Sequence, residues 1–533
     1  MTIQDAVAPA VAAGPGGVSA VAPASAVAPA PTVAPAVAPA PALAQVPAVA
    51  PVPAAALRAF IAGGWEDGQG ETIARQNPAR PDETVAEGRG ILLPDLDRAV
   101  AAARGAAKEW ARTPAHERGA VLTRAAAHLE ARADALGREL AREEGKTLAE
   151  GRGEVLRAAQ ILRFYAAEAD REIGDVYNSP RRGERILVTR RPLGVVGVVT
   201  PFNFPIAIPA WKIAPALAYG NAVVWKPASA VPLLAMRLVE ALEVGGIPQG
   251  VVGLVYGGGM LGQALVEHSG VDAVTFTGST GVGRRLAVAC AERGKPYQAE
   301  MGGKNSSIVL ADADLDLAVE QVVSGAFRSS GQKCTATSRL IVEDSVADEV
   351  LERLAARTAE LVVGDPLEAE TWLGPVVDEH ARTSLRAAID HGRAAGHREV
   401  FGRDHYSSGD LAAGWYVSPT VFELAGDDPT LWQTELFGPV LAVRRASSAG
   451  EALALANDTE FGLSGSIFTR DIARALDAVD EWDIGMLHIN SESPGADPHV
   501  PFGGVKGSGY GPKEQGRAAR EFYSETTTVY LRG

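Results

Sequence analysis

Short runs of β-branched residues alternate with helix-length segments through this chain, and this alternation constrains the fold more than any other feature. Val195–Val199, Ala222–Trp225 and Ala273–Phe276 are runs of this kind, each bounded by turn residues. Amphipathic stretches of helical length separate such runs, for example Leu233–Val244 and Met260–His268. Strands that alternate with helices build a parallel sheet with both faces covered. We therefore predict an α/β protein with Rossmann-like parallel sheets.

The alternation resumes after Ser306 and predicts a second α/β unit, with a strand at Ser307–Leu310 and a helix from about Leu315. A chain of 533 residues exceeds what one hydrophobic core usually supports, so more than one domain is expected. The segment from Asp95 to about Ala169 has a helical pattern throughout. Thr526–Leu531 reads as a strand without a nearby hairpin partner, which favours pairing with another subunit or a sheet edge.

Residues 1–56 differ from the rest of the chain. From Ala6 to Ala56 the sequence is dominated by Ala, Val and Pro, and it contains no charged residue. It lacks the positive start and compact apolar run of a secretory leader, and its prolines argue against a spanning helix. We predict a disordered, partly polyproline-II tail. A dispensable spacer is the favoured interpretation, and a tether for a partner is the alternative.

The net charge of −15 argues against a nucleic-acid partner, because phosphate binding relies on basic patches. An anionic small substrate is not excluded, since it needs only a local cation. Two cysteines make no disulfide framework, and together with the missing leader and spanning segment they predict a cytoplasmic protein without membrane attachment. The histidines show no metal-ligand spacing, so no metal site is predicted.

Cys334 is the leading candidate nucleophile. It lies in a polar segment of Gly, Gln, Lys, Ser and Thr, unlike a cysteine that packs as a core hydrophobe. Lys333 and Arg328 could supply the cations that lower a thiol pKa. An incidental loop cysteine is the alternative, and so is a cysteine hydrolase, although no motif segment places a histidine beside Cys334.

Loops at strand ends supply further polar candidates. Thr200-Pro201-Phe202-Asn203-Phe204-Pro205 follows the Val195–Val199 strand, where ligands bind in open α/β sheets, and a fixed Asn203 amide could stabilise an oxyanion. Lys226 ends the next strand and could face a phosphate or a ribose. Gly278 and Ser279 open a helix after a further strand, where a phosphate could approach free N–H groups. An ordinary turn or surface residue is the competing interpretation of each.

Glu300 stands just before two glycines and is a candidate general base for activating water, although surface glutamates are commoner. Later polar segments run through Glu435-Leu436-Phe437-Gly438-Pro439 and Pro501-Phe502-Gly503-Gly504. Each says little alone. Together with Phe-Thr-Gly-Ser-Thr-Gly, Glu-Met-Gly-Gly-Lys-Asn and Gly-Gln-Lys-Cys, and in this order, they resemble the aldehyde dehydrogenase superfamily from about Leu57 to the C-terminus.

The resemblance implies two Rossmann-like domains and a small oligomerisation arm. An NAD(P)-binding domain would comprise residues 57–174 and 193–303, a catalytic domain 304–510, and the arm 175–192 and 511–533. The chain would oxidise an aldehyde to an acid, with NAD or NADP as hydride acceptor, as a homodimer or homotetramer. A non-catalytic structural homologue is the alternative, but the candidates Cys334, Glu300 and Asn203 are all present.

The resemblance also assigns roles. Cys334 would attack the carbonyl, Asn203 would hold the oxyanion, Glu300 would activate water, and Lys212 would lie near the proton path. Free acid, not a coenzyme A ester, would be the product, because acylating members generally lack the glutamate matched by Glu300. The implied cofactor contacts are Thr200, Phe202, Lys226, Ser229, Gly278, Ser279, Glu435 and Phe437.

Two positions depart from the family pattern. Where NAD-preferring members often carry a glutamate that binds the ribose hydroxyls, this chain has Ser229, so NADP stays open. The second glutamate of the family's proton relay has no clear match, and Glu514 is only a candidate substitute.

The substrate is predicted from the residues near Cys334. Arg328 stands where succinate semialdehyde dehydrogenases carry an arginine that binds the substrate carboxylate, although their second arginine is Trp211 here. The segments around Cys334, Ser493 and Glu514 look most similar to 2-oxoglutarate semialdehyde (2,5-dioxopentanoate) dehydrogenases. Arg328, Ser493 and Phe502 are therefore the candidate substrate contacts. Succinate semialdehyde and a broad range of aliphatic or aromatic aldehydes are the alternatives.

Overall fold

The computed structural model describes residues 53–171 and 174–533 of the chain. Most of the predicted tail, residues 1–52, lies outside the described residues. The predicted tail boundary at residue 56 is wrong by a small margin, because Ala55 and Ala56 already belong to a strand that pairs with residues 86 and 87.

The first part places a run of helices between two groups of strands. In chain order they are β1 (Ala55–Leu57), β2 (Ala59–Ile61), β3 (Gly64–Glu66), β4 (Thr72–Asn77), β5 (Arg80–Arg89), α1 (Leu93–Arg112), α2 (Ala115–Ala131), α3 (Ala133–Glu144), α4 (Leu148–Glu168), β6 (Asp175–Asn178) and β7 (Glu184–Pro192). The single helical pattern predicted from Asp95 is thus divided into α1–α4. A proline and left-handed Gly145, neither of which continues a helix, lie at two of the breaks.

The middle part alternates strand and helix as predicted. Its elements are β8 (Val195–Val199), α5 (Ala207–Ala218), β9 (Ala222–Lys226), α6 (Pro232–Val244), β10 (Val252–Leu254), α7 (Gly259–Glu267), β11 (Ala273–Thr277), α8 (Thr280–Ala291) and β12 (Tyr297–Glu300). Strands β10, β9, β8, β11 and β12 are parallel neighbours in that order. Nearly all of their side chains are buried, which matches their continuous apolar sequences.

The last part builds a second sheet. Its elements are β13 (Asn305–Val309), α9 (Leu315–Phe327), β14 (Thr337–Glu343), α10 (Asp344–Ala359), α11 (Glu379–Ala394), β15 (Arg398–Phe401), β16 (Thr420–Glu423), α12 (Pro429–Trp432), β17 (Val440–Ala446), α13 (Ala449–Asn457), β18 (Phe461–Gly462), β19 (Ser464–Phe468), α14 (Ile472–Glu481), β20 (Met486–Ile489), β21 (Val505–Lys506), β22 (Gly509–Tyr510), α15 (Ala519–Tyr523) and β23 (Ser524–Arg532). Short 3-10 helices cover Arg328–Gly331 and Gly516–Ala518. The parallel strands run in the order β16-β17-β14-β13-β19-β20.

The C-terminal strand finds its partner within the chain. β23 pairs antiparallel with β7 from Ser524–Pro192 to Arg532–Glu184, and β6 pairs with the other edge of β7. Parts of the predicted arm, residues 175–178, 184–192 and 524–532, thus form a small sheet. Its role in assembly stays a prediction, as do the boundaries of the two larger domains.

Loops at the carboxyl ends of the strands in the first sheet carry several of the candidate residues. The loops after β8, β9 and β11 leave the carboxyl ends of parallel strands, where open α/β sheets bind ligands. β12 leads directly into β13, so Glu300 ends the first sheet shortly before the second begins. No helix within the described residues is long and apolar enough to cross a membrane.

Candidate active site

Cys334 lies between two cavities. One has a volume of about 300 Å³ and is lined by Arg328, Lys333, Trp211 and Phe502 among others. The second, of about 510 Å³, is lined by strand-end residues that include Asn203 and Lys226. Cys334 lines both. A thiol in this position can meet one ligand from each side.

The loop that carries Cys334 leaves helix α9 in an unusual conformation. Ser329 and Ser330 both have φ of 54°, followed by Gly331 at 68°, so consecutive residues are left-handed. The carboxylate of Glu150 holds this turn by accepting from the Ser329 N–H at 2.8 Å and its hydroxyl at 3.0 Å. A side chain at Gly331 would overlap the backbone of Gly438, so glycine is required there.

The surroundings of the Cys334 thiol disfavour its charged form. Burial raises its pKa to about 12, and the carboxylates of Glu435 and Glu300 add to the effect. The expectation that Lys333 and Arg328 lower this pKa is therefore wrong, because desolvation and the two carboxylates dominate. Activation of the thiol thus requires a base or an added positive charge in the site.

The Asn203 loop is fixed from behind by a buried ion pair. Lys146 binds Glu154 at 2.7 Å and also donates to the backbone carbonyl of Asn203. Glu154 in turn accepts from the Ile206 and Ala207 N–H groups at 3.0 and 3.2 Å, at the start of α5. Asn203 is buried and lines the same cavity as Cys334. Its position is set by the loop, which leaves the amide available for a ligand.

Glu300 is buried at the end of β12. Its Oε2 accepts from the Gly504 N–H at 3.1 Å, and Gly503 and Lys513 lie on the same side. Burial raises the pKa of Glu300 well above its usual range, and the nearby Glu514 carboxylate raises it further. A raised pKa makes this carboxylate a stronger proton acceptor than an exposed glutamate.

Lys212 and Glu514 form a buried ion pair. Lys212 also donates to the Thr275 hydroxyl at 2.9 Å and to the Phe276 carbonyl at 3.1 Å. Burial lowers the pKa of Lys212, whereas Glu514 and Glu300 oppose this shift. The sequence pattern left Glu514 without a clear match, and the structure brings it to Lys212 beside Glu300.

The larger cavity has apolar walls and polar ends. It is lined by Thr200, Phe202, Gly278 and Ser279, for which the resemblance implied cofactor contacts. Ser279 stands at the N-cap of α8 without a side-chain capping bond, and the first N–H groups of a helix have no partner within the helix. Burial lowers the pKa of Lys226, which also lines the cavity, to about 8.

Glu435 and Phe437 also line this cavity. Glu435 accepts from the Gly303 N–H at 2.9 Å, and burial raises its pKa to about 7. Any side chain at Gly302 would overlap this carboxylate. The Phe437 ring meets Phe202 edge to face, with 5.6 Å between centroids. Apolar faces between separated polar groups suit a dinucleotide, whose rings stack and whose riboses and phosphates bond.

Ser229 lies outside this cavity. It is exposed and lines a separate groove beside Gly257–Met260, and its hydroxyl lies 3.4 Å from the Gly257 carbonyl. The groove offers no carboxylate at the Ser229 position. Glu71 also lines the groove, so its one acidic side chain comes from a different position.

Arg328 and Lys333 are the cations of the smaller cavity that lack an anionic partner. The guanidinium of Arg328 lies over the Trp372 ring, 4.9 Å from its centroid. Among the residues that the structure describes, neither Arg328 nor Lys333 forms an ion pair or a side-chain hydrogen bond. By contrast, Lys146 in the same cavity is paired with Glu154.

The other two predicted substrate contacts differ from each other. Phe502 lines the smaller cavity and packs on Trp211, with ring centroids 5.2 Å apart. Ser493 is fully buried and does not line it. Its hydroxyl donates to the Thr335 carbonyl at 2.8 Å and lies 2.8 Å from the Thr337 hydroxyl. Ser493 therefore braces the segment after Cys334 instead of facing a ligand.

Sequence reasoning missed the residues that support the site. Glu150 has a readable signal, because Thr147 and Glu150 form a capping box at the start of α4. Its second use, binding Ser329, depends on residues far apart in the chain. Lys146 and Glu154 have no local signal.

Comparisons with known proteins agree with this geometry. The model of the family described as "Aldehyde dehydrogenase family" matches residues 65–529. The α-ketoglutaric semialdehyde dehydrogenase of Bacillus subtilis is 43% identical over 475 residues, covering 89% of this chain and 97% of the relative. The 2,5-dioxopentanoate dehydrogenase of Saccharolobus solfataricus is 39% identical over 474 residues, covering 88% and 98%. The structure of betaine aldehyde dehydrogenase from Staphylococcus aureus with NAD+ matches at a TM-score of 0.85 and 32% identity, covering 89% and 95%.

Proposed function

We propose that this chain, which belongs to the aldehyde dehydrogenase family, oxidises 2-oxoglutarate semialdehyde to 2-oxoglutarate with NAD or NADP. Relatives that match over nearly their whole length are named for this substrate under its two chemical names. The substrate carries a carboxylate beyond its aldehyde, so its site should hold a free cation.

One observation carries the proposal. Cys334 lines a cavity with unpaired cations and also lines a second cavity with the wall and polar ends that a dinucleotide needs. An aldehyde entering from the first side would meet the thiol opposite the hydride acceptor on the second side. Arg328, whose guanidinium lies over the Trp372 ring, suits a carboxylate because a guanidinium can donate to both oxygens.

The chemistry on Cys334 follows from its neighbours. Sγ adds to the aldehyde carbon, and the thiol proton leaves to a base, which gives a thiohemiacetal whose oxygen is held by the Asn203 amide. Bound NAD(P) supplies the acceptor for the hydride that leaves this carbon. The product is a thioester, and water then cleaves it to the free acid and restores the thiol.

Glu300 is the proposed base for the water. Its raised pKa lets it take a proton during hydrolysis, and Lys212 with Glu514 lies next in line to pass the proton on. Glu300 lines neither cavity and instead bonds Gly504. We infer that its side chain turns towards Cys334 when the thioester forms.

The cofactor can be NAD or NADP. Lys226 and Ser279 are proposed to bind the ribose and pyrophosphate, and Glu435 the nicotinamide ribose, with Phe437 beside the ring. Ser229 replaces the carboxylate that would repel a 2′-phosphate. This difference supports use of both cofactors.

A substrate panel tests the proposal. Steady-state kcat/KM is measured for 2-oxoglutarate semialdehyde, succinate semialdehyde, pentanal and benzaldehyde, each with NAD and with NADP. We expect the first to be preferred, with Cys334→Ser inactive on all of them. Arg328→Ala should raise KM for the acidic aldehydes far more than for the neutral ones. Equal use of acidic and neutral aldehydes would refute the proposed substrate, and equal effects of Arg328→Ala would refute carboxylate binding.

We also propose that the small sheet of β6, β7 and β23 serves assembly into a homodimer or homotetramer. It exposes Val176, Tyr177, Tyr530 and Leu531, with exposures of 54–70%. Apolar residues clustered in this way favour a subunit contact. Light scattering after gel filtration measures the mass, and a monomer would refute the proposal.

A cytoplasmic location stays a prediction, supported by two free cysteines.

A further inference from the structure

The basic residues that line the smaller cavity differ in whether they form ion pairs. Lys146 is paired with Glu154 at 2.7 Å, and Arg157 with Asp497 at 3.3 Å. Arg328 and Lys333 also line the cavity, and within the described parts of the chain neither forms an ion pair. Two cations without partners exceed what a single carboxylate requires.

The two cations have different surroundings. Arg328 is fixed by the Trp372 ring and presents a planar set of donors. Lys333 is partly buried and feels the carboxylates of Glu150 and Glu492, which both line the cavity. A substrate carboxylate beside Lys333 would be repelled by these glutamates. A neutral carbonyl oxygen would not, and it would still accept a charge-assisted hydrogen bond.

The chain positions of Lys333 and Arg328 support the same assignment of substrate groups. Lys333 directly precedes Cys334, whereas Arg328 lies before the left-handed turn. In 2-oxoglutarate semialdehyde, the 2-oxo carbon is one bond closer to the aldehyde carbon than the carboxylate is. The nearer group of the substrate therefore matches the residue next to the nucleophile.

We propose that Lys333 is a specificity residue that donates to the 2-oxo oxygen of the substrate, while Arg328 binds the carboxylate. The inference rests on the proposed function. It predicts that the enzyme distinguishes a 2-oxo acid aldehyde from the same acid without the oxo group, and that Lys333 carries this distinction.

Three aldehydes of equal chain length test it, because each differs from the next by one group. They are 2,5-dioxopentanoate, 5-oxopentanoate, which lacks the oxo group, and pentanal, which lacks the carboxylate as well. Lys333→Met should lower kcat/KM for the first by about 10- to 100-fold, the usual effect of a lost hydrogen bond to a charged group, and change the other two little. Arg328→Met should lower kcat/KM for 2,5-dioxopentanoate and for 5-oxopentanoate, relative to the value for pentanal.

Controls separate binding from folding. Lys108→Met removes an exposed lysine on α1 and should leave all three rates unchanged. Lys333→Gln keeps a neutral donor and should retain part of the preference for the oxo acid. Titration of the Cys334 thiol reports whether each variant keeps its site.

The outcomes are distinct. If Lys333→Met slows all three aldehydes alike, Lys333 acts through the Cys334 loop and the inference is overturned. The inference also fails if the wild type oxidises 5-oxopentanoate as well as 2,5-dioxopentanoate, although the acidic-aldehyde function then survives. If the wild type prefers pentanal to both acids, the proposed function fails as well.

Discussion

The ammonium of Lys212 and the carboxylate of Glu514 form an ion pair closed off from solvent, although the residues lie far apart in the sequence. Removing one partner of a buried pair leaves the other charge without compensation. Lys212→Met should therefore lower the free energy of unfolding by about 3–5 kcal/mol. Urea denaturation at one protein concentration measures this free energy of unfolding, with Lys108→Met as the control.

A second substitution makes this prediction sharper. Adding Glu514→Gln to Lys212→Met removes the uncompensated carboxylate and should recover part of the lost stability. If Lys212→Met costs less than about 1 kcal/mol, the value typical of exposed pairs, the pair does not hold the fold together.

Glu300→Gln should separate the two halves of the reaction. The amide cannot take a proton from water, so reduced cofactor should form in a burst equal to the Cys334 content and then stall at the thioester. General base catalysis commonly contributes about 10²–10⁴-fold, which sets the expected loss of steady-state rate. Stopped-flow absorbance of the reduced cofactor measures both phases. Unchanged steady-state turnover would contradict the role of Glu300.

Asn203→Ala should lower kcat by about 100- to 1,000-fold while KM for the aldehyde changes little, because the amide is expected to bond the oxygen only as it becomes charged. Phe202→Leu, in the same loop, is the matched control for disturbance of the loop. Its kcat should fall much less. Equal losses of kcat in the two variants would mean that a disturbed loop, and not the missing Asn203 amide, causes the loss of activity.

Cofactor capture should depend on pH through Lys226. Burial lowers its pKa to about 8, so the ammonium is present below pH 7 and is lost as the pH rises through 8 to 9. We expect kcat/KM for the cofactor to fall across that range, since this parameter reports the free enzyme. Lys226→Met should give a lower and flatter profile. A profile of wild-type shape in Lys226→Met would exclude this lysine as the cause.

Ser229→Glu should shift the cofactor preference towards NAD. A carboxylate beside the 2′-phosphate would repel it, so kcat/KM for NADP should fall at least about tenfold, and less at high salt because the position is exposed. The value for NAD should change little. Ser229→Gln is the neutral control of the same size. If it behaves like Ser229→Glu, the effect is steric and not electrostatic.

Much of the fold could be read from the sequence because it follows from local patterns. β8 has the bounds of the predicted Val195–Val199 run, and β9 and β11 extend theirs by one residue. The helices α6 and α7 likewise begin one residue before the predicted stretches. Buried parallel strands need continuous apolar runs, and such runs are visible without knowing which strands are neighbours.

The segment around Cys334 was less predictable. Its composition suggested a polar, cation-rich loop, but the structure partly buries Cys334, and its surroundings raise the pKa of the thiol. Polar residues next to a cysteine in the chain can point away from it, as Ser330 does by donating to the Gly374 carbonyl at 2.7 Å. Composition gives the neighbours along the chain, whereas the pKa depends on neighbours in space.

The sequence alone therefore determined the α/β class, the family and the candidates Cys334, Asn203 and Glu300, because motifs and periodicity are properties of short segments. Only the tertiary structure decided which charges are paired. It joined Lys212 to Glu514 and placed Lys146 behind the Asn203 loop. Among the described residues it gave Arg328 and Lys333 no ion-pair partner in the cavity that Cys334 lines. Ion pairing and desolvation are set by contacts between segments distant in the chain, so no local pattern records them.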